Sequence, residues 1–197
     1  MLSKKFLVAK QRYLLFIFLF SLVVSILLAV TIGSFKISVA DILFGNLDEL
    51  GKTILFTIRM PRVMLAAIVG ASLAISGACL QGLFRNPLAD PGLIGVSAGA
   101  ALGAAFAIVF SSHFISLNFL GPYLIPFSAI IGSASVIIIL FIITKGFGYD
   151  GVTYMLLAGI AVNAIAGVGI GLLTYISDDS ELRSLTFWTM GSFGGVT

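Results

Sequence analysis

From Pro91 to Thr144 the chain reads PGLIGVSAGAALGAAFAIVFSSHFISLNFLGPYLIPFSAIIGSASVIIILFIIT, 54 residues without one Asp, Glu, Lys or Arg. A soluble domain, about a quarter of whose residues are charged, does not leave such a stretch bare. A bilayer core about 30 Å thick is crossed by about 20 apolar residues of helix, each rising about 1.5 Å. The stretch is therefore long enough for two spans, expected near 93–110 and 123–143. Its middle, Ser111-Ser-His-Phe-Ile-Ser-Leu-Asn-Phe-Leu-Gly-Pro122, is a polar turn punctuated by Gly and Pro.

Outward from there, three more charge-free windows hold one span each. They are Tyr13–Phe35, Val63–Phe84 and Gly151–Ser177, giving spans near 13–32, 63–83 and 153–176. The last window, Ser184–Thr197, is too short for a sixth. The expected fold class is thus all-α, a polytopic transmembrane helix bundle of about five spans over residues 13–176. A cytoplasmic N-terminus (1–12) precedes it and an outer segment (177–197) follows. Barrel strands would alternate polar and apolar residues over about ten positions, and no such alternation occurs. The first window is too long for the apolar core of a signal peptide, and no small-x-small site follows it, so it reads as a retained span.

Whole-chain composition agrees. Of 197 residues, 59% are hydrophobic and 10% charged, and the mean hydropathy is +1.17. Disorder needs the opposite balance. A single cysteine, Cys79, excludes a disulfide framework or a Cys-based zinc site. The net charge of +3 comes from scattered basic residues flanking apolar runs, which reads as membrane topology and not as nucleic-acid binding. Lys4, Lys5, Lys10 and Arg12 place the N-terminus in the cytoplasm. The following outer segment nevertheless carries Lys36, Lys52, Arg59 and Arg62, with the excess concentrated in Arg59-Met-Pro-Arg62. Two readings stand: a docking surface for an acidic partner, or snorkelling to lipid headgroups.

No ionisable residue lies inside the five spans, which argues against ion-coupled transport and against intramembrane catalysis. Gln81 and Asn163 are the notable amides. Small residues abound: Gly77 in the second span, and Gly95, Gly99 and Gly103 at i, i+4 and i+8 in the third. Such spacing lets helix backbones approach closely in lipid, which is the reading for most of them; glycines also leave a pathway wall unobstructed, but spacing alone does not show one. His113, in the turn before the fourth span, is a lone histidine. No Gly-x-x-x-x-Gly-Lys-Ser/Thr phosphate loop is present, so the chain does not power transport itself. Between spans two and three, Arg85-Asn-Pro-Leu-Ala-Asp-Pro-Gly-Leu-Ile-Gly95 breaks the helix with two prolines, and Asp90-Pro91 reads as a helix start. Asn86 and Leu88 in this inner turn are placed to line a cytoplasmic constriction.

At these residues the chain resembles the permease subunits of binding-protein-dependent ABC importers for iron complexes (siderophores, haem) and cobalamin. The blocks are Ile58-Arg-Met-Pro-Arg62, Gly70-Ala-Ser-Leu-Ala-Ile-Ser-Gly77, Gln81, Arg85 through Ala100, Leu156-Leu-Ala-Gly-Ile-Ala161, and Phe187 through Val196. The resemblance implies a permease fold of about ten spans per subunit. Two subunits, identical or different, would enclose one pathway, with a cytoplasmic ABC ATPase below and an extracytoplasmic substrate-binding protein above. It implies that Arg59 and Arg62 sit at the outer mouth and pair with acidic residues of the binding protein. A short outer helix is implied around Ser180–Phe193. Asn86 and Leu88 match one cytoplasmic gate of the family. Val152 and Thr153 match the other, where Val152 departs from the small hydroxyl residues usual there.

The family continues past the Gly-Gly-Val block with about five further spans and its ATPase-engaging loop. A chain ending at Thr197 is therefore expected to be the N-terminal half of a longer permease. The expected function is ATP-driven import of an iron chelate by alternating access, with a helix-poor outer entrance. No cofactor, metal or catalytic residue is expected. A cobalamin importer permease, or a small five-span structural or assembly protein complete as written, are the alternatives.

Overall fold

Side-chain caps begin four of the described helical elements, at Ser38, Asp48, Asp90 and Asp178, and glycines end three of them, at Gly45, Gly95 and Gly191. The computed structural model describes residues 2–110, 121–146 and 151–196, with side chains from residue 10 onward. Among these residues there is no strand. They divide into two units, residues 1–71 with 193–197 and residues 72–192. His113, most of the turn containing it, and the side chains of Lys4 and Lys5 lie outside the described residues.

In the first unit, α1 runs Leu2–Thr31 and passes through the segment expected as a cytoplasmic tail. Its residues from Lys10 to Val23 are all exposed, as expected for a Leu/Phe/Ile-rich helix bathed in lipid. The segment after it, expected as an outer loop, is helical over much of its length. Ser38 accepts from the Ala40 N–H at 3.2 Å and starts α2, Val39–Phe44, which Gly45 ends in the left-handed region at φ 70°. Asp48 accepts from the Gly51 N–H at 2.9 Å and starts α3, Glu49–Thr53. A π-helical stretch, Ile54–Arg59, then leads straight into α4, Met60–Phe84. The helical run Glu49–Phe84 is thus 36 residues long, against the 63–83 expected.

Pro61 accounts for the π turn. It has no N–H to offer the Thr57 carbonyl, and its ring crowds that carbonyl. The helix widens just ahead of it, so that the Met60 N–H bonds to the Leu55 carbonyl, five residues back.

The second unit holds the C-terminal part of α4 and everything to Ser192. Asp90 caps a single 3₁₀ turn, Pro91–Ile94, which Gly95 ends at φ 80°. Only then does α5 begin, Val96–Phe110. The helix start expected at Asp90-Pro91 is real but lasts one turn, and the expected span 93–110 shrinks to 15 residues. α6, Leu124–Thr144, and α7, Gly151–Ile176, fall where the charge-free windows put them. α8, Asp179–Met190, carries a capping box in which Asp178 and Glu181 each bond the other's backbone N–H, at 2.7 and 3.1 Å. The segment 177–197, expected to lie outside, is therefore helical over most of its described residues.

α5 packs against both α6 and α7 and is the most buried element. Ala105, Ile108 and Val109 form one cluster with Leu173 of α7 and Leu185 of α8. Ile94, Val136 and Leu140 form another, flanked by Leu80, Phe84 and Val162. Among the described residues, four helical runs are long and apolar enough to cross a membrane: Lys10–Thr31, Glu49–Phe84, Gly121–Thr144 and Gly151–Ile176. α5 is a fifth, shorter apolar helix.

Candidate functional site

Arg59 ends the π turn, and the wider turn aims its guanidinium at the end of α1. Nη1 donates to the Val30 carbonyl at 2.6 Å and to the Thr31 carbonyl at 3.2 Å, and Nη2 donates to the Phe35 carbonyl. The last carbonyls of a helix lack intrahelical partners and carry partial negative charge, so a cation there satisfies both needs. Gly33 lies against the same guanidinium, and a Cβ on it would strike Nη2. Arg62, one turn on, is exposed, and its Nη2 donates to the Gly194 carbonyl at 2.9 Å. The two arginines were expected to act alike. Their partners differ: Arg59 is partly buried and occupied by three carbonyls, whereas Arg62 faces outward.

In the second unit the turn after α4 is braced from within. Arg85 takes a positive φ of 48°, uncommon for a residue with a side chain. Asn86 Oδ1 accepts from the Leu88 N–H at 2.9 Å, and the Asn86 carbonyl accepts from the Ala89 N–H at 3.1 Å. Leu88 is 83% exposed, a large apolar side chain held out by the turn. Asp90 Oδ1 accepts from the Gly92 N–H at 2.7 Å. A groove of about 510 Å³ lies beside this turn, lined by Gly77, Gln81, Ala89, Asp90, Gly92 and Ser97 among others. It brings together Gln81, Gly77 and the turn, three separate expectations from the sequence. Val152 and Thr153 occupy the first turn of α7, with Thr153 exposed.

The glycines separate into distinct roles. Gly99 and Gly103 abut α6: a Cβ on Gly99 would come within 2.8 Å of the Gly132 carbonyl, and one on Gly103 would strike the Ser128 carbonyl. Gly95 does not share this face, because it sits in the break before α5. It packs instead on α7, where a Cβ would lie 3.0 Å from Val162 Cγ1 and 3.2 Å from the Gly159 carbonyl. Gly77 has open space around it. Asn163 donates to the Gly92 carbonyl at 3.0 Å and joins α7 to the 3₁₀ turn.

Gly159 falls within the Leu156–Ala161 block of the sequence, whereas Gly132 was not singled out from it. The signal for Gly132 was present: Gly132-Ser-Ala-Ser135 is a run of small residues inside an isoleucine-rich helix.

These features define a polytopic helical membrane protein whose helices meet backbone to backbone through glycine. The chain belongs to the FecCD transport family, which matches residues 21–197. It is 42% identical over 185 residues to the hemin transport system permease protein HmuU of Yersinia pestis, covering 94% of this chain and 54% of that protein. It is 40% identical over 156 residues to the cobalamin import system permease protein BtuC of Halobacterium salinarum, covering 79% and 40%. To the molybdate import system permease protein MolB of Haemophilus influenzae it is 34% identical over 181 residues, covering 87% and 51%. Among solved structures, a metal-chelate type ABC transporter in an inward-facing conformation superposes with a TM-score of 0.77 at 33% identity, covering 94% of this chain and 55% of that one. The chain spans about half the length of the curated relatives it matches.

Proposed function

We propose that the protein is the membrane permease of an ATP-driven importer for an iron chelate, a siderophore complex or haem. The observation that carries the substrate class is the 42% identity to a hemin permease over 94% of the chain. The mode of transport is supported by the residues themselves. Val63–Phe84, Pro91–Thr144 and Gly151–Ser177 hold no Asp, Glu, Lys or Arg. A proton or sodium path would need such groups. Energy then enters through a cytoplasmic ABC ATPase, and the permease performs no chemistry.

In this reading the protein is a multi-pass component of a bacterial cytoplasmic membrane with its N-terminus inside. A second permease subunit completes the pathway, and an extracytoplasmic substrate-binding protein delivers the chelate. Arg62, exposed and next to the 193–196 segment, is the docking cation. Arg59 supports the same rim by holding the end of α1. Asn86 and Leu88 form one cytoplasmic gate, and Val152 and Thr153 form the other. Gln81 and Gly77 line the groove beside the first gate.

Cobalamin is the second reading, favoured by 40% identity to a cobalamin permease. Uptake assays in cells lacking their own importers decide between them. The full-length permease, with its ATPase and binding protein, is expected to restore growth on haem or a ferric siderophore as sole iron source. Restoration of cobalamin-dependent growth alone would overturn the iron assignment.

A further inference from the structure

The first helix carries an unbalanced charge. Lys4, Lys5, Lys10 and Arg12 all belong to its opening turns, and the first Asp or Glu of the chain is Asp41, beyond the end of α1. The helix therefore offers these cations no partner three or four residues away, the spacings at which helical side chains meet. Lys10 and Arg12 are exposed and have neither a hydrogen bond nor an ion pair among the described residues. Every residue from Lys10 to Val23 is exposed, about four turns, so this part of α1 is open on all sides. Tyr13, beside Arg12, is 68% exposed, and tyrosine is enriched where membrane meets water.

Helix length fixes the level of the cations. From Tyr13 to Thr31, α1 rises about 28 Å, close to the bilayer's hydrocarbon thickness of about 30 Å. Lys10 and Arg12 then stand at the hydrocarbon boundary, where phospholipid phosphates lie. Gln11, between them, opens a shallow apolar trough of about 400 Å³ that runs past Leu14, Leu15, Phe18, Leu19 and Leu22. We propose that the start of α1 is a binding site for an anionic phospholipid, with the headgroup phosphate against Lys10 and Arg12 and an acyl chain along the trough. Lys4 and Lys5 add to the field that attracts it. An acidic protein surface would match the charges but not an apolar trough that begins between them. A zwitterionic lipid would match the trough but not four uncompensated cations. The site asks only for the membrane setting of the family and is independent of the cargo.

The test uses the full-length permease in phosphatidylcholine nanodiscs that contain a small share of nitroxide-labelled lipid. The labelled lipid is either phosphatidylglycerol or phosphatidylcholine, with the nitroxide at the same acyl position. Cys79 and any further cysteine are replaced by Ser, and a fluorophore is attached at Phe16→Cys, a site 70% exposed and outside the trough. Labelled phosphatidylglycerol is expected to quench at a concentration at least about five-fold lower than labelled phosphatidylcholine, the effect of one cation near an anionic surface. The preference is expected to shrink at about 1 M salt, where the Debye length falls to about 3 Å. Lys10→Gln with Arg12→Gln is expected to bring the two lipids close to parity, while Lys10→Arg with Arg12→Lys keeps the preference. Equal quenching by the two lipids in the parent overturns the proposal, whether or not any variant folds. So does a preference that survives the double glutamine substitution. A preference that vanishes once the ATPase is bound overturns it as well, and assigns the cations to a protein partner.

Discussion

Arg59 Nη1 lies 2.6 Å from the carbonyl oxygen of Val30, 29 residues earlier in the chain. The contact joins the π turn that Pro61 enforces to the C-terminal end of the first membrane helix. A residue pair expected to serve a docking partner thus contains one member that serves the fold.

Replacing Arg59 by Met removes the cation from two carbonyls at the end of α1 and from the Phe35 carbonyl just beyond it. Hydrogen bonds to charged groups contribute about 1.5–3 kcal/mol each. Hydrogen exchange at residues 30–37 is therefore expected to accelerate by about ten-fold or more, given that 1.4 kcal/mol is about ten-fold in an equilibrium constant. Arg59→Lys, with a single ammonium in place of a fork, is expected to recover part of the protection. Unchanged exchange in Arg59→Met would show that the contact does not hold α1.

Arg62→Glu is expected to act on the partner instead. Reversing an exposed charge at a docking rim slows association, with the effect largest at low salt. Binding-protein association with the full-length permease is expected to fall by about ten-fold at low ionic strength. Exchange at residues 30–37 should stay at the parental level. If Arg59→Met weakened docking while Arg62→Glu did not, the division between the two arginines would be reversed.

The glycine contacts make a graded prediction for thermal stability in detergent. Gly103→Val and Gly132→Val put branched side chains where backbone of the facing helix already lies. Overpacking of this kind typically destabilises by about 1–3 kcal/mol. Gly77→Ala enters open space, and its effect should stay within about 0.5 kcal/mol. Equal losses at Gly77 and Gly132 would mean that the α5–α6 approach is not what the glycines provide.

α8 is held by its cap and by Leu185, which is 6% exposed against Ala105, Ile108, Val109 and Leu173. Leu185→Ala is expected to lower stability by about 2–5 kcal/mol. Asp178→Ala, which removes half of the capping box, is expected to remove about 1 kcal/mol. Limited proteolysis between Ile176 and Met190 would report both, and a Leu185→Ala protein cut no faster than its parent would contradict the packing.

Charge placement made the spans legible, because a charge inside a bilayer is expensive and its absence over about 20 residues is a physical requirement. α1, α6 and α7 were readable for that reason. The segment 33–59 was not, since Lys36, Asp41, Asp48, Glu49 and Lys52 interrupt the apolar windows although helices occupy much of it. Its caps, Ser38 and Asp48, are established by the structure. The third helix begins three residues later than expected, and Gly95, which shares the Gly99–Gly103 spacing, lies ahead of it. Only the backbone shows that Gly95 takes the left-handed conformation and faces α7. The roles of Arg59 and Asn163 depend on contacts 29 and 71 residues away in sequence, which no local pattern encodes.

The central claim is that transport is powered by ATP with no ion coupling. Its most direct test is uptake of a radiolabelled iron chelate into proteoliposomes containing the full-length permease, its ATPase and its binding protein. Uptake is expected to require ATP and to be unchanged when ionophores collapse the proton and sodium gradients. Uptake driven by an imposed gradient without ATP would contradict the account.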